Sequence, residues 1–393
     1  MDLFDKCRNF TIAKEIQKAG FYPFFIPIEG SEDTEVYIEG KKKIMIGSNN
    51  YLGVTHHPKI LEAANKALFK YGSGCTGSRL LNGTLDLHIE LEDRLAKFLK
   101  KEAALVFSTG YQTNLGIIST LIGKDDVVFI DKLDHASIVD ACRLSFGEVF
   151  KFKHNDMEDL ERLIKTYDHK KGKLIVVDGI FSMEGDIANI PEIIKLAKKY
   201  NCKTMIDDAH SLGVLGKNGA GAADHFDVLD QVDLIMGTFS KSFGSIGGFV
   251  AGDEVAIHYI KHFSRSFIFS ASMPPSVVAT VIAALDVIEN EPERRENLWR
   301  ITNKMLDGYK SMGFDTCDSV SPVIPIVIGE DMKTFMFWKE LFDAGVYANA
   351  AVSPAVPPGA GRMRTSYIAT HNEDQMDFVL STFEKLGKKL GVI

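Results

Sequence analysis

Lys241 stands in a setting unlike that of an ordinary surface lysine. An apolar run at 234–236 passes into Gly237-Thr238-Phe239-Ser240-Lys241-Ser242-Phe243-Gly244-Ser245, where glycines and hydroxyls crowd around a single amine. Glycine-rich backbone lets a bound group approach closely, so this lysine suits a Schiff base with a carbonyl compound. Thr238 and Ser240 are placed to ligate a phosphate beside it. A P-loop would need a further glycine ahead of a Gly-Lys-Ser/Thr element, and that pattern is absent. A second string, Thr204-Met205-Ile206-Asp207-Asp208-Ala209-His210, ends an apolar run in two carboxylates and a histidine. Strand C-termini are where α/β sheets place their sites. Helix capping would explain the two aspartates but not His210. Metal ligation by Asp207, Asp208 and His210 would need a further cluster with ligand spacing, so no metal is expected. In Phe107-Ser108-Thr109-Gly110-Tyr111-Gln112-Thr113-Asn114 a strand runs into a helix whose free N–H groups would hold an anion. Asp131-Lys132-Leu133-Asp134-His135 places a histidine just past another strand, where an imidazole can stack on a flat ring.

One tempting motif has the wrong context. Gly72-Ser73-Gly74-Cys75-Thr76-Gly77 matches GxGxxG, with Glu92 and Asp93 about 20 residues on, as a dinucleotide fingerprint requires. That fingerprint follows a strand, whereas Ile60, Ala64, Leu68 and Tyr71 share one face of a predicted helix over 58–71.

These groups need a scaffold, and the chain supplies one. Between about residues 100 and 250, short apolar runs (104–107, 127–130, 174–177, 204–206, 234–236) alternate with amphipathic stretches such as 191–200. They read as buried parallel strands in a layered α/β domain. From about 280 the texture changes to helices, a strand near 321–327 and a final helix from Glu373, a smaller α+β domain. The expected division is an N-terminal arm over 1–45, a large domain over 46–285 and a small C-terminal domain over 286–393. With 393 residues, 45% hydrophobic and 25% charged, the composition is that of a globular enzyme. The 45 basic against 53 acidic residues leave a net charge of −8, which argues against nucleic acid as a partner. Five cysteines without a CxxC indicate neither a disulfide framework nor a zinc knuckle. No leader-like start and no spanning apolar stretch are evident, so a cytoplasmic location is expected. Among 26 phenylalanines, several crowd into Phe21-Tyr22-Pro23-Phe24-Phe25, which reads as aromatic packing under the arm or as contact with something greasy.

A phosphate site, a ring-stacking group, an acid and a Schiff-base lysine together match the demands of pyridoxal 5'-phosphate. Ser48-Asn49-Asn50-Tyr51-Leu52-Gly53, Gly77-Ser78-Arg79, Asp134-His135-Ala136-Ser137, Phe181-Ser182-Met183-Glu184-Gly185-Asp186, Asp207-Asp208-Ala209-His210 and Lys241 occur in that order. Across nearly its whole length the chain resembles the α-oxoamine synthase family of the aspartate-aminotransferase-like fold (pyridoxal phosphate fold type I). Many members have Asp-Glu-Ala-His where this chain has Asp207-Asp208-Ala209-His210, which leaves the first carboxylate intact.

The resemblance implies roles. Lys241 carries the cofactor and acts as general base, Asp207 pairs with the pyridine nitrogen, and His135 stacks on the ring. His210 bonds the 3'-oxygen region, with Ser182 nearby. Gly110, Tyr111, Thr238 and Ser240 hold the phosphate, joined by Ser270 across the interface of a C2 homodimer with shared sites. Arg364, or Arg362 two residues before it, binds the substrate carboxylate with help from Asn50. The implied reaction is a decarboxylating condensation of an amino acid with an acyl-CoA. The strings around Arg79, Lys241 and Ser353-Pro354-Ala355-Val356-Pro357-Pro358 are most similar to the bacterial branch that joins L-serine to a long-chain acyl-CoA, palmitoyl-CoA, giving 3-ketodihydrosphingosine, CoA and CO2. Members using alanine or glycine with pimeloyl-, succinyl- or acetyl-CoA are the alternative. A long acyl chain would give the phenylalanine-rich segment a task, either lining the chain's path or touching the inner membrane peripherally.

Overall fold

The computed structural model describes residues 2–393, and its apolar runs become strands because both of their faces are covered. Val127, Phe129, Ile175 and Val177 enter one hydrophobic cluster, while their neighbours Val128, Ile130, Leu174 and Val176 enter a second. Successive side chains of a strand point to opposite faces, so a sheet sandwiched between helices needs unbroken apolar runs instead of alternation.

The seven-stranded sheet runs Ala103–Phe107, Gly248–Gly252, Leu234–Thr238, Lys203–Asp207, Lys173–Asp178, Val127–Asp131, Glu148–Phe152. The last five are parallel. The expected parallel pairing of 104–107 is corrected: its neighbour is Gly248–Gly252, which is antiparallel to both strands it touches. That strand hides in the sequence behind its glycines. At Gly248 a Cβ would lie 2.5 Å from Thr113 Oγ1 and 2.8 Å from Gly110 Cα, so a side chain would push helix Gly110–Leu121 off the sheet.

Pro58–Tyr71 is helical, with Pro58 in its first turn. The GxGxxG match therefore follows a helix. Glu92, the would-be ribose ligand, instead takes a buried bidentate pair of bonds from Arg79 at 2.7 and 3.0 Å.

In the C-terminal part, helices Pro292–Met312, Asp331–Asp343 and Glu373–Lys389 accompany an antiparallel sheet of Val323–Gly329, Gly361–Ser366 and Asn349–Ala351. The segment expected as one arm over 1–45, of which Met1 lies outside the described residues, divides in two. Strands Gly30–Glu32, Glu35–Ile38 and Lys41–Met45 form a sheet closed by Val346–Tyr347, and so belong with the C-terminal layer. The stretch before them carries helices Asp5–Arg8 and Ile12–Lys18, neither of which buries a side chain. One hydrophobic cluster joins Phe129 and Ile206 of the large sheet to Ile326 and Phe383 of the C-terminal layer. No helix among the described residues is long and apolar enough to cross a membrane.

Candidate active site

The C-terminal ends of the parallel strands open on a cavity of about 320 Å³. Asp207 is the last residue of its strand, Thr238 the last of the next, and His135 follows the strand ending at Asp131. Parallel strands bring residues distant in sequence to one rim, and here that rim is the cavity floor.

Asp207 is held from two sides. Its Oδ2 accepts from Asn114 Nδ2 at 2.7 Å and its Oδ1 from the Ala209 N–H at 3.0 Å. Asp208 points away from the cavity, where its Oδ1 accepts from the Ala222 N–H at 3.0 Å and the Ser211 hydroxyl at 2.5 Å. Burial pushes the Asp208 carboxyl up to about 7. One aspartate thus faces the site and the other stitches the turn beneath it.

His135 is the N-cap of Ala136–Leu144, and its Nδ1 accepts from the Ser137 N–H at 3.2 Å. That bond puts the imidazole proton on Nε2, and burial lowers the pKa, so the ring is neutral. His210 Nδ1 lies 2.6 Å from the buried hydroxyl of Tyr51. Burial, with the Lys241 and Arg364 cations nearby, pushes His210 well below its ordinary pKa. Burial drives the Tyr51 phenol up to about 12, so Tyr51 is the donor in that pair and His210 carries its own proton on Nε2.

The Lys241 amine has no carboxylate at hydrogen-bonding distance among the described residues. Its enclosure in the cleft lowers the pKa to about 8, against the pull of Asp207 and Asp178. Asp178 ends the neighbouring strand with Oδ1 buried and without a partner among the described residues, and burial raises its carboxyl well above the ordinary range.

Beside Lys241, Thr238 Oγ1 and Ser240 Oγ are 3.0 Å apart. They adjoin the N-terminus of Gly110–Leu121, capped by the Thr109 side chain accepting from the Gln112 N–H. A Cβ at Gly110 would come within 2.7 Å of Thr238 Oγ1, so only glycine lets the helix end and the hydroxyls share one cradle. The first-turn N–H groups at 110 and 111 have no carbonyl to bond within the helix. Tyr111 lies half out in solvent at the rim, its hydroxyl donating to Asp140. Hydroxyls and free N–H groups fit a phosphate dianion, a neutral imidazole facing Asp207 fits a pyridine ring, and an unpaired amine of depressed pKa fits an aldehyde. The residues present therefore fit pyridoxal 5'-phosphate.

A second cavity, of about 1070 Å³, shares His135, His210 and Lys241 with the first and extends to Ser182, Asn49, Arg364 and the N-terminal aromatic residues. Arg364 Nε donates to the Ser182 carbonyl at 2.7 Å and Nη2 to Asn49 Oδ1 at 3.0 Å. Arg362 turns to the Met183 carbonyl at 3.2 Å and to Glu184 at 3.5 Å. Ser182 thus meets Arg364 through its backbone. Asn50 Oδ1 accepts from the Val54 N–H and its Nδ2 donates to Thr55 Oγ1, both at 3.0 Å. Asn50 closes the turn, and its neighbour Asn49 stands beside the arginine. Ser270 lies outside both cavities of its own chain, its hydroxyl accepting from Gln112 Nε2 at 3.1 Å.

Four residues of the site have no role assigned from sequence: Asn49, Tyr51 and Asn114, which fall inside the quoted strings, and Asp178. Asn114 sits one helical turn past Gly110, the spacing that returns a side chain to the same face, and this was the available signal. For Asp178 the signal was an apolar run ending in a carboxylate, as at Asp207.

Comparison with known proteins agrees with this geometry. Residues 41–383 match the aminotransferase class I and II family. A serine palmitoyltransferase of Sphingobacterium spiritivorum is 51% identical over 387 residues, covering 98% of this chain and 97% of that protein. An 8-amino-7-oxononanoate synthase of Thermoanaerobacter pseudethanolicus is 43% identical over 381 residues, covering 97% and 96%. Among solved structures, a variant serine palmitoyltransferase from S. paucimobilis with a bound PLP–myriocin aldimine superposes with a TM-score of 0.96 at 39% identity, over 100% of both chains. Strand order, cavity and relatives converge, and the chain belongs to the aminotransferase class I and II family of pyridoxal phosphate fold type I.

Proposed function

We propose that the protein catalyses the pyridoxal phosphate-dependent condensation of L-serine with palmitoyl-CoA to 3-ketodihydrosphingosine, CoA and CO2, the serine palmitoyltransferase reaction. One observation carries the choice of acyl donor. The cavity that holds Lys241 and Arg364 continues into a wall of Phe10, Ile12, Tyr22, Phe24 and Phe335, where the charged group is Asp331. A pimeloyl or succinyl chain would bring its distal carboxylate against an anion and apolar rings, whereas a saturated chain would not. The higher identity to serine palmitoyltransferases than to the oxononanoate synthase supports the same reading.

When bound, the cofactor supplies an electron sink for negative charge at the substrate Cα. Lys241, with its pKa near 8, is matched to take the Cα proton near neutral pH. Arg364, braced by Asn49 and the Ser182 carbonyl, receives the serine carboxylate through its planar fork. Asp207 would face the pyridine nitrogen, His135 the ring and His210 its 3'-oxygen, while Gly110, Tyr111, Thr238 and Ser240 would hold the phosphate. A carbon–carbon bond forms between Cα and the thioester carbonyl carbon, and the carbon–sulfur bond breaks to release CoA. The carboxylate departs as CO2, and a proton returns to Cα.

Two copies of the chain complete the enzyme in this reading. Leu81, Phe146, Phe263 and Phe269 are apolar and exposed, and Ser270 beside Phe269 would reach the partner's phosphate site. Five free cysteines, Cys142 and Cys202 among them buried, are in keeping with a reducing cytoplasm.

Supplied with the cofactor and serine, the purified protein should show a changed visible absorbance, then release CoA and CO2 in equal amounts when palmitoyl-CoA is added. Faster release with alanine and pimeloyl-CoA, or with glycine and acetyl-CoA, would overturn the assignment.

A further inference from the structure

The N-terminal aromatic segment is built in a way the fold does not require. Helices Asp5–Arg8 and Ile12–Lys18 bury no side chain, yet Phe10, Ile12 and Ile16 line the larger cavity. Phe24 meets Phe335 edge to face at 6.3 Å, and Tyr22 meets Phe24 at 5.4 Å. Phe25 is 94% exposed and sits at φ +56°, a left-handed conformation that a bulky residue rarely adopts. Phe25 lines the same cavity as Lys241. At about 1070 Å³ the cavity exceeds the roughly 300–1,000 Å³ of ordinary small-molecule pockets.

We propose that Tyr22, Phe24 and Phe25, with Phe335 behind them, form the far wall of the acyl-chain channel and set the preference for long chains. This rests on the acyl-CoA reading above and deepens it. A saturated chain asks for no hydrogen bonds, and each methylene covered is worth about fourfold in binding. Lys241 and these rings line one cavity, so in this proposal the rings meet the terminal carbons of a long chain, and a short chain ends before them. Discrimination therefore grows with chain length until the aromatic wall is covered.

The test measures kcat/KM of the holoenzyme with serine and CoA thioesters from octanoyl to palmitoyl. In the unmodified enzyme it should climb steeply toward palmitoyl. In the double variant Phe24→Ser, Phe25→Ser the palmitoyl-to-decanoyl ratio should fall about tenfold or more, chiefly through KM for the thioester. Phe25 is exposed, so its replacement leaves the core untouched. A filling variant, Ala13→Phe on the same cavity, should move the optimum to shorter chains. A ratio unchanged in both variants overturns the inference and leaves the reaction assignment standing. So does lost adhesion to lipid vesicles with the ratio intact, which would make the segment a membrane contact. No turnover of any long-chain thioester by the unmodified enzyme overturns both.

Discussion

The large sheet carries a cavity at each end, and both measure about 320 Å³. At the C-terminal end the walls include Lys241, His135, His210 and Asp207; at the N-terminal end they include Lys173, Lys203, Asp126 and Asp233. Both hold lysines and carboxylates in one cleft, yet their chemistry differs because of pairing. Lys173 lies 2.5 Å from Asp168 and Lys203 lies 2.6 Å from Asp233, and the Asp233 contact raises the Lys203 pKa. Those amines are spent as structural cations. Lys241 has no such partner, and burial lowers its pKa to about 8. A cavity becomes reactive when its amine is enclosed without being neutralised.

Moving the two ends toward each other tests this contrast. Lys241→Ala should lower CoA release by about 10⁴-fold or more, whereas Lys203→Ala should leave the rate intact; equal losses would break the comparison. Within the reactive end, Arg364→Ala should raise the KM for serine about 100-fold through loss of charge-assisted bonds, while Arg362→Ala should move it little. A reversed result would reassign the carboxylate site.

Titration sharpens the difference. Lys241 must be neutral to capture an aldehyde, so uptake of cofactor by the apoprotein should rise with pH and level off above about 8; an inflection near the ordinary lysine value of 10.5 would contradict the enclosure argument. Beneath the same site, Asp208 keeps its proton in the folded state up to about 7 against an ordinary 3.8. The unfolded chain loses that proton first, so this group's contribution to stability declines as pH rises from 3.8 to 7. Asp208→Asn should remove that decline, read as a Tm that no longer falls across this window. The smallest effect is expected at the other end: the exposed pair broken by Lys203→Ala should cost about 1 kcal/mol or less, a shift of a few degrees in Tm at most.

Much of this molecule is legible in its sequence, for physical reasons that vary by region. The runs at 127–130, 174–177, 204–206 and 234–236 announce themselves because strands covered on both faces tolerate almost no polar residue. Gly248–Gly252 does not, since close approach of the site helix demanded glycines there, and glycine reads as loop. Asn49 and Asn50 are indistinguishable as letters; a tight turn sends one side chain to Thr55 and the other to Arg364. The phenylalanines at 21–25 signal greasy surface without saying what it faces. The place of Phe24 and Phe25 on the cavity that holds Lys241 is a tertiary fact.

The sequence by itself placed Asp207, Thr238 and His135 on one rim, because an apolar run followed closely by such a residue puts it at or just past a strand's C-terminal end. It could not choose between Arg362 and Arg364. Two residues apart on the strand Gly361–Ser366, they share a face, and both are nearly buried. The loop at 182–184 tells them apart: it sets Glu184 beside Arg362 and offers the Ser182 carbonyl, with Asn49, to Arg364. Those partners lie more than a hundred residues away in the chain. Local pattern decides which face a side chain takes, and only long-range packing decides what it meets there.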